Sequence, residues 1–218
     1  MRTAAILPVK GFPQAKQRLG AGVGEHLRGA LARAMVGDVL VALERTRSVD
    51  QTIVVSGEPS VAAAARHMGA SVIEDSLAQG QSAAVTLGVE LALADGFQRA
   101  LCVPGDCPAL DPDELEELLS RPLQPPEVIV VPDRHGTGTN GLLLSPPDAI
   151  APSFGPDSCA RHLKLARDAA VHGDVARVPS LLLDIDTSAD LDLLRDRLRS
   201  ARNGAPGTRA VLGLPGRP

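Results

Sequence analysis

A single α/β domain, with a mainly parallel sheet covered by helices on both faces, is the fold this sequence predicts. Three observations carry it. Short apolar runs rich in Val, Ile and Leu recur along the chain, and buried parallel strands read as such runs because both of their faces are covered. Longer stretches with apolar residues at helical spacing separate them. The length of 218 residues suits one domain with a full core.

In chain order the strands are expected at AAILPV, TIVVSG, ASVIED, RALCVPG, EVIVVPD, a run within TNGLLLSP, and SLLLDID. The clearest helix spans residues 25–47, where Leu27, Leu31, Met35 and Val39 recur on one face. Further helices are expected over 59–67, 82–94, 112–119, 158–169 and 188–199. PLQPPE reads as a stiff helix-to-strand connection. The domain is expected to occupy residues 1–200. Beyond it, 201–218 is repeatedly broken by Gly and Pro and is expected to be a mobile tail.

Composition excludes several classes. Aromatic residues make up 1% of the chain, with no Trp or Tyr, so it lacks the exposed rings of a stacking platform for single-stranded nucleic acid. The formal charge is −4, so no overall basic field draws it to nucleic acid and any phosphate binding must be local. No segment is apolar enough for a membrane span, and MRTAAILPVK, interrupted by Pro8 and Lys10, is too short for a signal sequence. Three cysteines without metal-ligand spacing fit a reduced, cytoplasmic chain.

Ligands of open α/β sheets bind at the carboxyl ends of the strands, so the residues just after each strand matter most. After the first come Lys10, Lys16 and Arg18 in PVKGFPQAKQRLG. The chain has three lysines against nineteen arginines, and two of those lysines fall in this loop. Compact ammonium charges there could fold around a polyphosphate, although the P-loop spacing is absent; a solvated basic loop with biased codon usage is the plainer alternative. The fourth strand runs into VPGDCPALDP, which places Asp106 in the crevice as a Mg²⁺ ligand or as ordinary turn chemistry. LLLDIDT sets Asp184 and Asp186 two apart, so that on an extended chain both face one side; the alternative is that Asp186 or Thr187 caps the next helix.

Two segments look suited to a second anion. DRHGTGTNG carries three glycines in six positions, which allows close backbone approach. FGPDSCARH opens a helix at Ser158, where leading N–H groups favour a phosphate or carboxylate and Arg161 and His162 could add charge. A hairpin turn and a simple cap are the alternatives. Gly80 and Gln81, before another helix, could hold a base or ribose.

PVKGFPQAKQRL, VPGDCPALDP, DRHGTGTNGLLLSP, FGPDSCARH and LLLDIDTSADLDLL, in this order, together resemble the 2-phospho-L-lactate and phosphoenolpyruvate guanylyltransferases of coenzyme F420 biosynthesis. The resemblance implies a Rossmann-like nucleotidyltransferase domain that moves GMP from GTP to a small phosphorylated acid and releases pyrophosphate. By the same resemblance Asp106, Asp184 and Asp186 would hold Mg²⁺, and Lys10, Lys16 and Arg18 would face the triphosphate. Gly138, Thr139, Gly155 and Ser158 would receive the acceptor, either phosphoenolpyruvate or 2-phospho-L-lactate. Where the family tends to read QGLN, this chain reads QGQS, with Gln81 and Ser82. Small-molecule substrates are the expected partners, and a homodimer is compatible with the reading. A molybdenum-cofactor nucleotidyltransferase and a nucleotide-binding protein without catalysis are the rival readings; FGPDSCARH argues against the first and the full set of aspartates against the second.

Overall fold

The computed structural model describes residues 1–11, 24–122, 124–201 and 204–215. Seven strands form one sheet: β1 Thr3–Val9, β2 Gln51–Ser56, β3 Ser71–Glu74, β4 Arg99–Cys102, β5 Glu127–Pro132, β6 Thr139–Ser145 and β7 His172–Val175. Their order is β3-β2-β1-β4-β6-β5-β7. All pairings are parallel except those of β6, which runs antiparallel to both β4 and β5. That reversal brings the start of β6 to the edge where the other strands end.

The helices are α1 Glu25–Arg45, α2 Pro59–His67, α3 Gln81–Ala94, α4 Pro112–Leu119, α5 Ser158–Asp168, α6 Ser188–Ser200 and α7 Pro206–Val211. Leu7, Val54, Leu101, Ile129 and Leu143 pack on one face of the sheet with residues of α1, α2 and α4. Ile6, Ile53, Ala100, Val130 and Leu142 pack on the other with α3 and α5. Contact with the sheet is close at Gly88 of α3, where an added Cβ would lie 2.5 Å from the Ile6 side chain. β1, β2, β4, β5 and β6 thus supply alternate residues to two cores, which is why they read as unbroken apolar runs. Where a cap is made, it follows the sequence: Asp111 accepts from the Asp113 N–H ahead of α4, and Thr187 and Asp190 form a capping box at α6.

Two expectations fail. SLLLDID is not a strand: Pro179–Leu181 is a single 3₁₀ turn, residues 183–186 belong to no regular element, and the seventh strand is the polar segment His172–Val175. Leu183 and Ile185 are buried among Leu31, Met35, Leu191 and Leu194, so the alternation that reads as a strand reflects two plugs in a helical cluster. The mobile tail is also corrected, because Pro206–Val211 forms α7 packed on α1. Asp38, inside α1, accepts the N–H groups of Gly207 and Thr208 at 2.8 and 2.7 Å, and Thr208 and Arg209 are buried. Helix N–H groups that would otherwise lack partners are met by a carboxylate from another helix. No described helix is long and apolar enough to cross a membrane.

Candidate active site

The expected site residues that are described gather along the carboxyl edge of the sheet. Lys10 follows β1 directly and is exposed; Lys16 and Arg18 lie outside the described residues. Asp106 sits in the turn after β4, and its carbonyl accepts the Ile185 N–H at 3.1 Å, which fastens the 184–186 segment to that turn. Leu183 and Ile185 are buried, and Asp184 and Asp186, which alternate with them, stay half-buried.

The carboxylates feel one another. Burial raises the Asp184 pKa above its ordinary value and the Asp106 charge adds to this; the Asn140 amide opposes the rise, and Asp186 adds a smaller push. Thr187, not Asp186, caps α6, so capping makes no claim on the Asp186 side chain. Asp190 organises the turn: its Oδ2 accepts the N–H groups of Asp186 and Thr187 at 3.1 and 2.7 Å, and its other oxygen pairs with Arg134 of the DRHGTGTN loop. Burial opposes ionisation of Asp190, yet these donors hold its pKa below the ordinary value.

Asn140 is a site residue that the sequence reading passes over. The pairing of β5 with β6 shifts by one residue, Val131 facing Gly141 and Pro132 facing Thr139, which leaves Asn140 as the extra residue of a bulge. Its amide donates to the Leu181 carbonyl at 2.7 Å and to Asp184 Oδ1 at 3.1 Å, while Thr139 turns to α5. An Asn within an otherwise apolar strand run was the available signal.

Gly138 is demanded by close approach, since a Cβ there would lie 2.7 Å from Asp133 Oδ2. Asp133 Oδ1 accepts the N–H groups of His135 and Thr137 and so shapes this loop. Gly155 has φ +114° and Gly80, which caps α3, φ +105°, values that other residues rarely adopt. Ser158 is buried at the start of α5, and Gln81 opens α3.

Two expectations about the acceptor segments need correction, and Arg161 makes a bracing contact beside its expected charge. The N–H groups of Ser158 and Cys159 already donate to the carbonyls of Gly155 and Thr137 at 3.1 and 3.0 Å, so the start of α5 offers an anion fewer donors than expected. Arg161 braces the loop, its Nε donating to Ser153 Oγ at 2.9 Å and its Nη2 to the Phe154 carbonyl at 3.4 Å. His162 is fully buried, and burial, helped by Arg161, pushes its pKa down to about 4. It adds no charge at neutral pH.

A cavity of about 150 Å³ lined by Leu43, Val49, Gln51 and Met68 lies at the opposite, amino end of β2 and β3 and includes none of these groups.

Residues 3–195 match the family model described as "Guanylyl transferase CofC like". The chain belongs to this family. Within the CofC-like guanylyl transferases, it is 49% identical to the phosphoenolpyruvate guanylyltransferase of Conexibacter woesei, over 97% of this chain and 96% of that protein. It is 35% identical to the 3-phospho-D-glycerate guanylyltransferase of Colwellia psychrerythraea, over 89% and 91%. Among solved structures, 4-diphosphocytidyl-2C-methyl-D-erythritol synthase superposes with a TM-score of 0.64 at 15% identity, covering 90% of this chain and 99% of its own. A nucleotidyl transferase from Methanothermobacter gives 0.63 at 22%, covering 92% and 99%. These two likenesses establish the nucleotidyltransferase fold. The CofC-like chain is thus a guanylyltransferase with the Rossmann-like fold that its sequence predicts.

Proposed function

We propose that the chain transfers GMP from GTP to phosphoenolpyruvate, with 2-phospho-L-lactate a slower acceptor, and releases pyrophosphate as a step toward coenzyme F420. Family membership supports the reaction class. The observation that carries the reading is the meeting of Asp184 with Asp106 on one side of β6 while Thr139 faces α5 on the other, so that two anion-handling regions share one edge.

A phosphate monoester has its second pKa near ~6, so at neutral pH the acceptor is already a nucleophile and needs no base from the protein. Its phosphate oxygen attacks the α-phosphorus of GTP in line, and the bond to the departing pyrophosphate breaks. The chain's task is to hold two polyanions together. In this reading Lys10, Lys16 and Arg18 neutralise the triphosphate, Gly80 and Gln81 hold the nucleoside, and Gly138, Thr139, Gly155 and Ser158 receive the acceptor.

Asp106, Asp184 and Asp186 offer hard oxygen donors, and the burial that raises the Asp184 pKa, together with the smaller push of the Asp106 charge, is a penalty on the anion that a dication offsets. Among the described residues no three His, Cys, Asp or Glu side chains are gathered closely enough to enclose an ion alone. Mg²⁺ commonly takes one or two carboxylates and completes its shell with phosphate and water, so this donor set fits it. When bound there, Mg²⁺ would polarise the α-phosphoryl group and offset the charge of the leaving pyrophosphate.

The test is pyrophosphate release with four nucleoside triphosphates crossed against phosphoenolpyruvate, 2-phospho-L-lactate, 3-phospho-D-glycerate and glycerol phosphate. GTP with phosphoenolpyruvate is expected to be fastest, and glycerol phosphate, lacking the carboxylate, inert. Equal rates with glycerol phosphate would overturn this account of the acceptor.

A further inference from the structure

The ring of His162 is fully buried yet polar at both nitrogens. Its Nε2 accepts the Ser153 N–H at 2.9 Å, and its Nδ1 lies 3.1 Å from Thr139 Oγ1. An amide N–H can only donate, so Nε2 carries no proton and the neutral ring bears its proton on Nδ1. That proton must be given to Thr139 Oγ1. The hydroxyl's own hydrogen is then turned away from the ring, because the lone pair facing His162 is taken. Phe154 packs edge-on to the ring, centroids 5.1 Å apart, and its N–H donates to Ser82 Oγ at 2.9 Å. Thr139 on β6, His162 on α5 and the loop at 153–154 are thereby fixed to one another.

We propose that His162 is a positioning residue for the acceptor: by donating Nδ1–H to Thr139 it obliges the threonine hydroxyl to act as a donor toward the acceptor's anionic group. The inference rests on the functional reading above, in which Thr139 receives the acceptor. A histidine kept only for packing would leave the direction of the Thr139 hydroxyl immaterial.

A double-mutant cycle tests this, using His162→Phe, Thr139→Val and the pair, with phosphoenolpyruvate varied at saturating GTP. A donor to a charged group is worth about 10- to 100-fold, so His162→Phe is expected to lower kcat/KM for the acceptor by ~10-fold or more, mainly through KM. The KM for GTP is expected to stay within about twofold, well under the worth of one hydrogen bond. In the Thr139→Val background His162→Phe should cost little more, because the hydroxyl it directs is gone. His162→Asn, which returns an amide donor near the place of Nδ1, guards against misfolding of the Phe variant. It is expected to recover much of the acceptor KM with Thr139 present and none without it.

Losses that multiply across the cycle, or a GTP KM that rises in step with that of the acceptor, would overturn the proposal while wild-type turnover left the functional reading standing. Wild-type protein that releases no pyrophosphate with any of the acids would overturn that reading and this inference with it.

Discussion

The N–H of Phe154 donates to the hydroxyl of Ser82 at 2.9 Å, which ties the loop ahead of α5 to the first turn of α3. The first of these segments is proposed to hold the acceptor and the second the nucleoside. Ser82 closes the QGQS stretch, and its hydroxyl has a partner in this bond. Ser82→Ala strands a backbone donor, which costs about 1–3 kcal/mol. We expect the KM for both substrates to rise by ~10-fold with Ser82→Thr near wild type; steady-state kinetics with each substrate varied would show it, and an unchanged alanine variant would dismiss the tie.

Asp106→Asn and Asp186→Asn are each expected to lower kcat by ~100-fold or more, the scale of losing one preorganised electrostatic group. The fold should persist, because the Asp106 contact with Ile185 is made by its backbone carbonyl and Thr187 caps α6 without Asp186. Near-normal rates at saturating Mg²⁺ in both variants, with unchanged melting curves, would remove the carboxylates from the chemistry.

Asp38→Ala should release α7. Two N–H groups, of Gly207 and Thr208, lose their acceptor, and a loss of about 2 kcal/mol is expected, accompanied by faster proteolytic cleavage after α6. A melting temperature equal to wild type would show that α7 does not depend on this carboxylate.

His162 makes stability depend on pH. Its folded pKa is about 4 against 6.5 in the unfolded chain, so between these values the unfolded state holds the extra proton. Stability therefore falls as pH drops through this window, by ~3 kcal/mol in all, and levels off below it. Denaturation midpoints at pH 7, 5.5 and 4 should fall less steeply in His162→Gln than in wild type. Parallel slopes would mean that the imidazole takes up its proton within the fold.

Six strands and the six longer helices were legible because the apolar runs and helical spacing in the sequence reflect burial on two faces of one sheet. β7 was not, since His172–Val175 is a polar edge strand with His172 and Val175 exposed and it borrows its hydrogen bonds from β5. SLLLDID misled for the converse reason: Leu183 and Ile185 alternate like strand residues but plug a helical cluster, and the Ile185 N–H pairs with Asp106 instead of a neighbouring strand. The Gly- and Pro-rich end hid α7 because its stabilising partner, Asp38, is a lone acid inside the most apolar part of α1. Asp106, Asp184 and Asp186 stand out as candidates by position, although the last two follow a 3₁₀ turn and not the strand expected there. The bulge at Asn140 and the buried contacts of His162 could not be read, as they depend on pairing across the fold.

If one phosphate oxygen of a phosphorylated acid displaces pyrophosphate from GTP, the two products must form together. The most direct measurement follows both products when purified chain is incubated with GTP, phosphoenolpyruvate and Mg²⁺, with pyrophosphate assayed and the nucleotide product weighed by mass spectrometry. Pyrophosphate and a guanylyl-phosphoacid are expected in equal amounts, each dependent on the acid. GTP bound without pyrophosphate release, or pyrophosphate formed with free GMP whether or not the acid is present, would contradict this displacement.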